Sequence, residues 1–257
     1  MAALVARSAL ELSLMYNGYG RAFAEDLSYL VVPPILLVLM FPYLKRCKGA
    51  LLGLLRRADL TCRVVALSIV LGLTLRLIYW ATLTALIWLG VVSNDDPNAV
   101  GGPIIGVECP PRQVLMLSFV VSAFLIPIIE EVGNRGFVLH ALLPRGVILS
   151  VIISALLFAV MHKPGSYVFA FFGGLFFAMQ VLNYRTLWAP IIAHAAYNAA
   201  AVVDSECFRI VWNPPISDPT LSTLGMLSAP LALVGILVAT FLVSKTAAGA
   251  RKARRRP

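Results

Sequence analysis

The chain is built from apolar runs, several close to twenty residues long, separated by short turns rich in Pro, Gly and basic residues. A run of that length crosses the hydrocarbon core as one helix. Backbone in lipid must satisfy its own hydrogen bonds, so only helices and closed barrels span a bilayer. The ten-residue alternation of a barrel strand is absent from this sequence. Only 13% of the residues are charged, where a soluble domain carries about a quarter. The expected class is all-α: a polytopic helical membrane protein of about seven transmembrane helices. No long polar linker divides it, so residues 1–257 read as a single membrane domain.

Residues 1–23 read as an amphipathic interfacial helix, with a short extra span as the alternative. Spans follow at about 27–44, 64–92, 113–143, 147–162, 167–182, 187–203 and 224–243. Pro33 and Pro34 kink the first span, and Pro127 should kink or open the third. Arg76, inside the second span, is expected to snorkel or pair within the bundle.

The net charge of +9 does not point to nucleic acid, because the basic residues lie in short runs beside apolar spans. That pattern reports topology. The 45–63 connection, the Arg145 and Arg185 turns and the basic tail at 251–256 should share the cytoplasmic side, the tail lying near anionic lipid. The loops at 93–112 and 204–222 then face the opposite side. Cys109 and Cys207 fall in those loops and could form a disulfide if that side is oxidising.

The third span carries Glu130 and Glu131 at membrane depth. Carboxylates there are costly and need partners, and usually have a function. Glu131 and Arg135 are four apart and can pair on one helix face, which leaves Glu130 without a local partner. Counting 1.5 Å per residue from the 144–146 turn puts Glu130 about 20 Å up and His162 about 22 Å up. From Leu187, His194 and Asn198 lie about 10 and 16 Å up. The four can meet in one layer, nearer the far side than the cytoplasm.

Each residue alone has a plainer reading. Asn198 suits interhelical glue, Phe158 and Tyr197 suit core, Gly133 and Gly136 suit close packing, and His140 suits a structural role. Together, four convergent polar groups suggest hydrolysis. Glu130 would take the proton from water, His162 would help hold that water, and His194 with Asn198 would stabilise the oxyanion. A zinc site on Glu130, His162 and His194 is the competitor. No H-E-x-x-H motif is present, and Asn is a poor zinc ligand, so a metal-free site without cofactors is expected.

Glu130-Glu131-x-x-x-Arg135, Phe158-x-x-x-His162 and His194-x-x-x-Asn198 resemble, in order and spacing, the motifs of the CPBP intramembrane proteases. That family covers the CAAX-protease and bacteriocin-processing proteins (Abi) and includes the type II CAAX prenyl endopeptidases. The resemblance covers about 113–203, which would be the catalytic core. It implies a glutamate intramembrane endopeptidase in which Glu130, His162, His194 and Asn198 are catalytic and Glu131 and Arg135 support the site. The partner implied is a membrane-anchored protein or peptide. The setting expected is a bacterial inner membrane, with the C-terminus cytoplasmic. CAAX processing implies a cytoplasmic opening, whereas the charge pattern places the site nearer the far face. A C-terminal sorting signal cut at the outer face fits that placement. A non-enzymatic scaffold or immunity protein of the same fold is the alternative.

Overall fold

The computed structural model describes residues 2–18, 51–55, 60–89, 105–107, 111–162, 166–210 and 226–241, with isolated positions between 24 and 49. The expected span at 27–44 and Cys109 of the Cys109–Cys207 pair lie outside the described residues, wholly or in large part. Seven helical segments carry the described fold: α1 (Ala2–Tyr16), α2 (Cys62–Trp88), α3 (Arg112–Arg145), α4 (Val147–Val160), α5 (Tyr167–Tyr184), α6 (Trp188–Cys207) and α7 (Met226–Phe241). Two three-residue strands, β1 (Ile105–Val107) and β2 (Phe208–Ile210), pair antiparallel with Val107 opposite Phe208. They bring together the chain before α3 and the chain after α6.

Among the described residues, three stretches are long and apolar enough to cross a membrane: Cys62–Leu86, Arg112–Arg145 and Tyr167–Tyr184. Val147–Val160, Trp188–Val203 and Met226–Phe241 are shorter apolar helices. Their outward faces are apolar too: Leu73 and Leu77 on α2, Ile148 and Val160 on α4, and Leu233 and Leu237 on α7 are all exposed. Apolar residues facing outward on every helix suit lipid and not water. The chain is a helical membrane protein.

The inward faces mix apolar side chains with small and polar ones. On α4 the buried positions include Ser150, Ser154, Ala155 and Phe158, one stripe of the helix. They lie against the glutamate-bearing half of α3 and against α5. On the other side of the bundle α6 packs along α2. Gly72 permits that approach, since a Cβ there would collide with the backbone oxygen of Ala193. The turn after α5 is tied to the chain before α2: Leu187 N–H donates to Leu54 O at 2.9 Å, and the Trp188 indole N–H donates to Leu55 O at 2.9 Å.

Several expected boundaries move. α4 ends at Val160, so His162 stands in the bend beyond the helix. α5 runs through Tyr184, with Arg185 as a left-handed cap (φ 53°), so Asn183 and Tyr184 are helical and not turn. Of the packing glycines, Gly174 and Gly136 meet neighbours, whereas Gly133 and Gly173 face open space.

Candidate active site

α3 is not a uniform α-helix. Phe119–Leu125 and Val132–Leu139 are π-helical and flank a short α-segment, Ile126–Glu131, that carries both glutamates. π segments insert an extra residue per turn and leave carbonyls that the α ladder would have used. Side chains take these up. Ile126 N–H reaches back five residues to Val121 O. In that register the next N–H would reach Ser122 O, but residue 127 is proline and has none. Ser122 O instead accepts the Asn198 amide from α6 at 2.7 Å. The second π segment is held alike. Asn134 Nδ2 donates to Glu130 O at 3.1 Å, Ser154 Oγ to Asn134 O at 3.1 Å, and His140 Nδ1 to Arg135 O at 2.7 Å. Pro127 thus opens the helix as expected, and Asn198 fills the opening. His140 has a structural task.

Glu131 and Arg135 are fully buried and pair at 3.1 Å through Oε1 and Nη1. Arg135 Nη2 also donates to Gly174 O at 3.1 Å on α5. Its Cζ lies 4.3 Å from the Phe158 ring centre and 5.5 Å from that of Phe177. A guanidinium paired with a carboxylate and packed against two rings is well compensated for burial.

Glu131 does more than the sequence reading gave it. The oxygen that meets Arg135 also accepts His194 Nδ1 at 3.1 Å. This fixes the His194 ring, which stacks on Phe177 at 5.1 Å and meets Phe158 edge-on at 5.7 Å. The other ring nitrogen, Nε2, is 3.9 Å from Glu130 Oε2. That separation is too long for a direct hydrogen bond and suits a shared water. Glu130 Oε2 is buried and has no hydrogen-bond partner among the described residues, while the side chain as a whole keeps 19% exposure.

His162 Nδ1 lies 2.8 Å from Phe158 O. A carbonyl only accepts, so Nδ1 carries the proton and a neutral His162 presents Nε2 as an acceptor. Its ring also packs 4.6 Å from Phe158. His162, His194 and Asn198 line an apolar cavity of about 860 Å³ between α2, α4, α5, α6 and α7. Glu130 is not among its walls and lies behind His194. His162 makes no hydrogen bond to Glu130; the two are linked through Phe158 and His194. Among the described residues no three His, Cys, Asp or Glu side chains converge as metal ligands.

Phe177, the Gly174 carbonyl and Ser122 were not legible as parts of this centre. Gly173-Gly174 signalled close packing but not the hydrogen bond, and a Phe in an apolar run carries no signal of its own.

The charges can be counted. Arg135 balances Glu131. Glu130 and His194 together are neutral when they share one proton, on either partner.

The bundle thus places a buried Glu131–Arg135–His194 centre beside an apolar cavity. Residues 112–200 match the family model for type II CAAX prenyl endopeptidase Rce1-like proteins. The matched segment, from the start of α3 well into α6, carries Glu130, Glu131, Arg135, His162, His194 and Asn198. No curated protein and no solved structure matches the chain.

Proposed function

We propose that the protein is a glutamate intramembrane endopeptidase that needs no metal. The observation carrying this reading is Glu130 Oε2: buried, without a hydrogen-bond partner among the described residues, and facing the Nε2 of a histidine whose other nitrogen is fixed by Glu131. In the reactive state Glu130 is ionised and His194 carries the shared proton. Water beside Glu130 gives its proton to the carboxylate as its oxygen bonds the scissile carbonyl carbon. His194 Nε2–H and the second N–H of Asn198 stabilise the oxygen that becomes negative. When the C–N bond breaks, Glu130 returns the proton to the leaving amine. His162 Nε2, the free acceptor in the cavity wall, holds the water. The engagement of His194 Nδ1 and Glu131 with each other and with Arg135 supports organic acid–base chemistry over a zinc centre.

The substrate is a membrane-anchored protein or peptide, and the apolar cavity receives its lipid-embedded part. The basic turns and tail support a C-terminus in the cytoplasm of a bacterial cell and a site toward the outer face, where a C-terminal sorting signal would be cut. The CAAX prenyl chemistry in the matched family's name requires the opposite opening, so a prenylated tail is not our preferred substrate. The test is purified protein in liposomes with quenched-fluorescent membrane peptides and measured metal content. We expect metal-free protein to cut and Glu130→Gln to lose about 10²–10⁴-fold of the rate. Activity that tracks bound zinc would refute the mechanism. A cellular phenotype that survives Glu130→Gln would favour the non-enzymatic scaffold.

A further inference from the structure

We propose that Gly173 forms the floor of a notch that selects an aromatic side chain of the substrate, close to the scissile bond. This deepens the endopeptidase reading and rests on it. A glycine inside a helix is destabilising relative to alanine, so it calls for a physical reason. The two usual reasons do not apply to Gly173. Its φ is not positive, since the positive-φ glycines among the described residues are Gly18 and Gly146. It does not admit a close neighbour either, because a Cβ added there would meet nothing within 4 Å. Gly174 differs: a Cβ there would lie 3.1 Å from Ala155 Cα and 3.3 Å from Arg135 Nη2. Gly173 stands inside α5 and in the wall of the cavity, and the open space above it belongs to that cavity.

Aromatic rings stand on both sides of that space. Phe169 lies four residues before Gly173 and Phe177 four residues after it, and all three line the cavity. Helix positions four apart are surface neighbours, with Cβ atoms about 5–6 Å apart. Phe169 is held from α2 by Tyr79, ring to ring at 4.8 Å, and Phe177 is stacked on His194 at 5.1 Å. A ring seated over Gly173 would lie about 5–6 Å from each flanking ring, within the roughly 4.5–7 Å at which aromatic pairs attract. The chain supplies the outer two rings of a row of three, and the substrate supplies the middle one. An aliphatic side chain gains the burial but not the ring contacts. Because Phe177 touches His194, the notch stands about one helical turn from the reacting groups, a distance that an extended peptide covers in about two residues.

The test uses the full chain in phosphatidylcholine liposomes and acyl-anchored quenched-fluorescent peptides that differ at one position at a time. Phe, Leu and Ala are compared at each residue flanking the scissile bond. At one position we expect the Phe peptide to be cut with kcat/KM about five-fold or more above the Leu peptide. Gly173→Phe places the chain's own ring in the notch and should bring that ratio close to one. Gly173→Ala should lower it in part, and so should Phe169→Leu, which removes one flanking ring. Gly173→Ala should keep or raise the melting temperature, because its methyl has room, so a fallen ratio there is not a loss of fold. The same peptides are then bound, by fluorescence anisotropy, to Glu130→Gln protein with and without Gly173→Ala. This reads ring selection even if no peptide is cut, and so separates failure of this inference from failure of the protease reading. If Gly173→Phe does not fold, Gly173→Ala and Phe169→Leu carry the test. A Phe-over-Leu ratio absent from the wild type at every position, or unmoved by these variants in both assays, overturns the inference. Equal cleavage of Phe and Leu peptides with both slowed by Gly173→Phe also overturns it, and would assign the notch to an aliphatic group.

Discussion

Glu131 binds two partners through one oxygen, and that makes it the residue on which the centre turns. Removing its charge leaves a fully buried Arg135 cation uncompensated. Breaking a buried pair from one side costs about 3–5 kcal/mol, so Glu131→Gln and Arg135→Met should each lower thermal stability sharply. Glu131→Gln with Arg135→Met should cost less than the sum of the two, because it removes both charges. A double-mutant cycle in detergent measures this, and strict additivity would mean that the pair is not coupled. Glu130 behaves differently. Its Oε2 has no hydrogen-bond partner among the described residues, so Glu130→Gln should leave the melting temperature unchanged or raise it. At this scale the sequence was informative about types and poor about pairings. The spacing of Glu131 and Arg135 gave their contact, which is local. It did not give His194 to Glu131, because that contact joins positions 63 residues apart and depends on the rotation of two helices.

That rotation is set at the scale of the element. The π segments of α3 turn the glutamates toward α6, and Pro127 with Asn198 maintains the first of them. Asn198→Ala removes the amide that Ser122 O accepts and should cost about 0.5–1.5 kcal/mol. Pro127→Ala restores an N–H that can take the same carbonyl, so in the Asn198→Ala background it should recover much of that stability. It should not recover activity, since the helix closes and the face bearing Glu130 rotates. Melting temperature and cleavage measured on the same three variants test this; recovery of both together would contradict the account. Pro127 announced an opening in the sequence. The carbonyl it frees, and the amide that finds it, were not legible, since no local pattern links Ser122 to Asn198. The same limit applied to α4. Its apolar run ended near His162, but the chain leaves the helix two residues earlier and seats His162 on the Phe158 carbonyl.

Across the whole molecule, the apolar runs made the membrane bundle legible, because in lipid length and hydrophobicity determine the element. How the helices meet depends on small residues. Gly72→Ala drives a methyl into the Ala193 backbone and should separate α2 from α6 beside His194. Overpacking of this kind costs about 1–3 kcal/mol, and cleavage should fall further than stability, since the next residue is part of the centre. The cavity between these helices could not be read from any single run, being a product of five elements.

The central claim is that Glu130 activates water to cut a membrane-anchored protein. Its most direct test compares the C-termini of membrane and surface proteins in cells carrying the wild type or Glu130→Gln, with equal amounts of folded protein. The account predicts that one class of proteins keeps an uncut C-terminal segment in the mutant. Identical termini in the two strains, under conditions where the wild-type phenotype is visible, would contradict it.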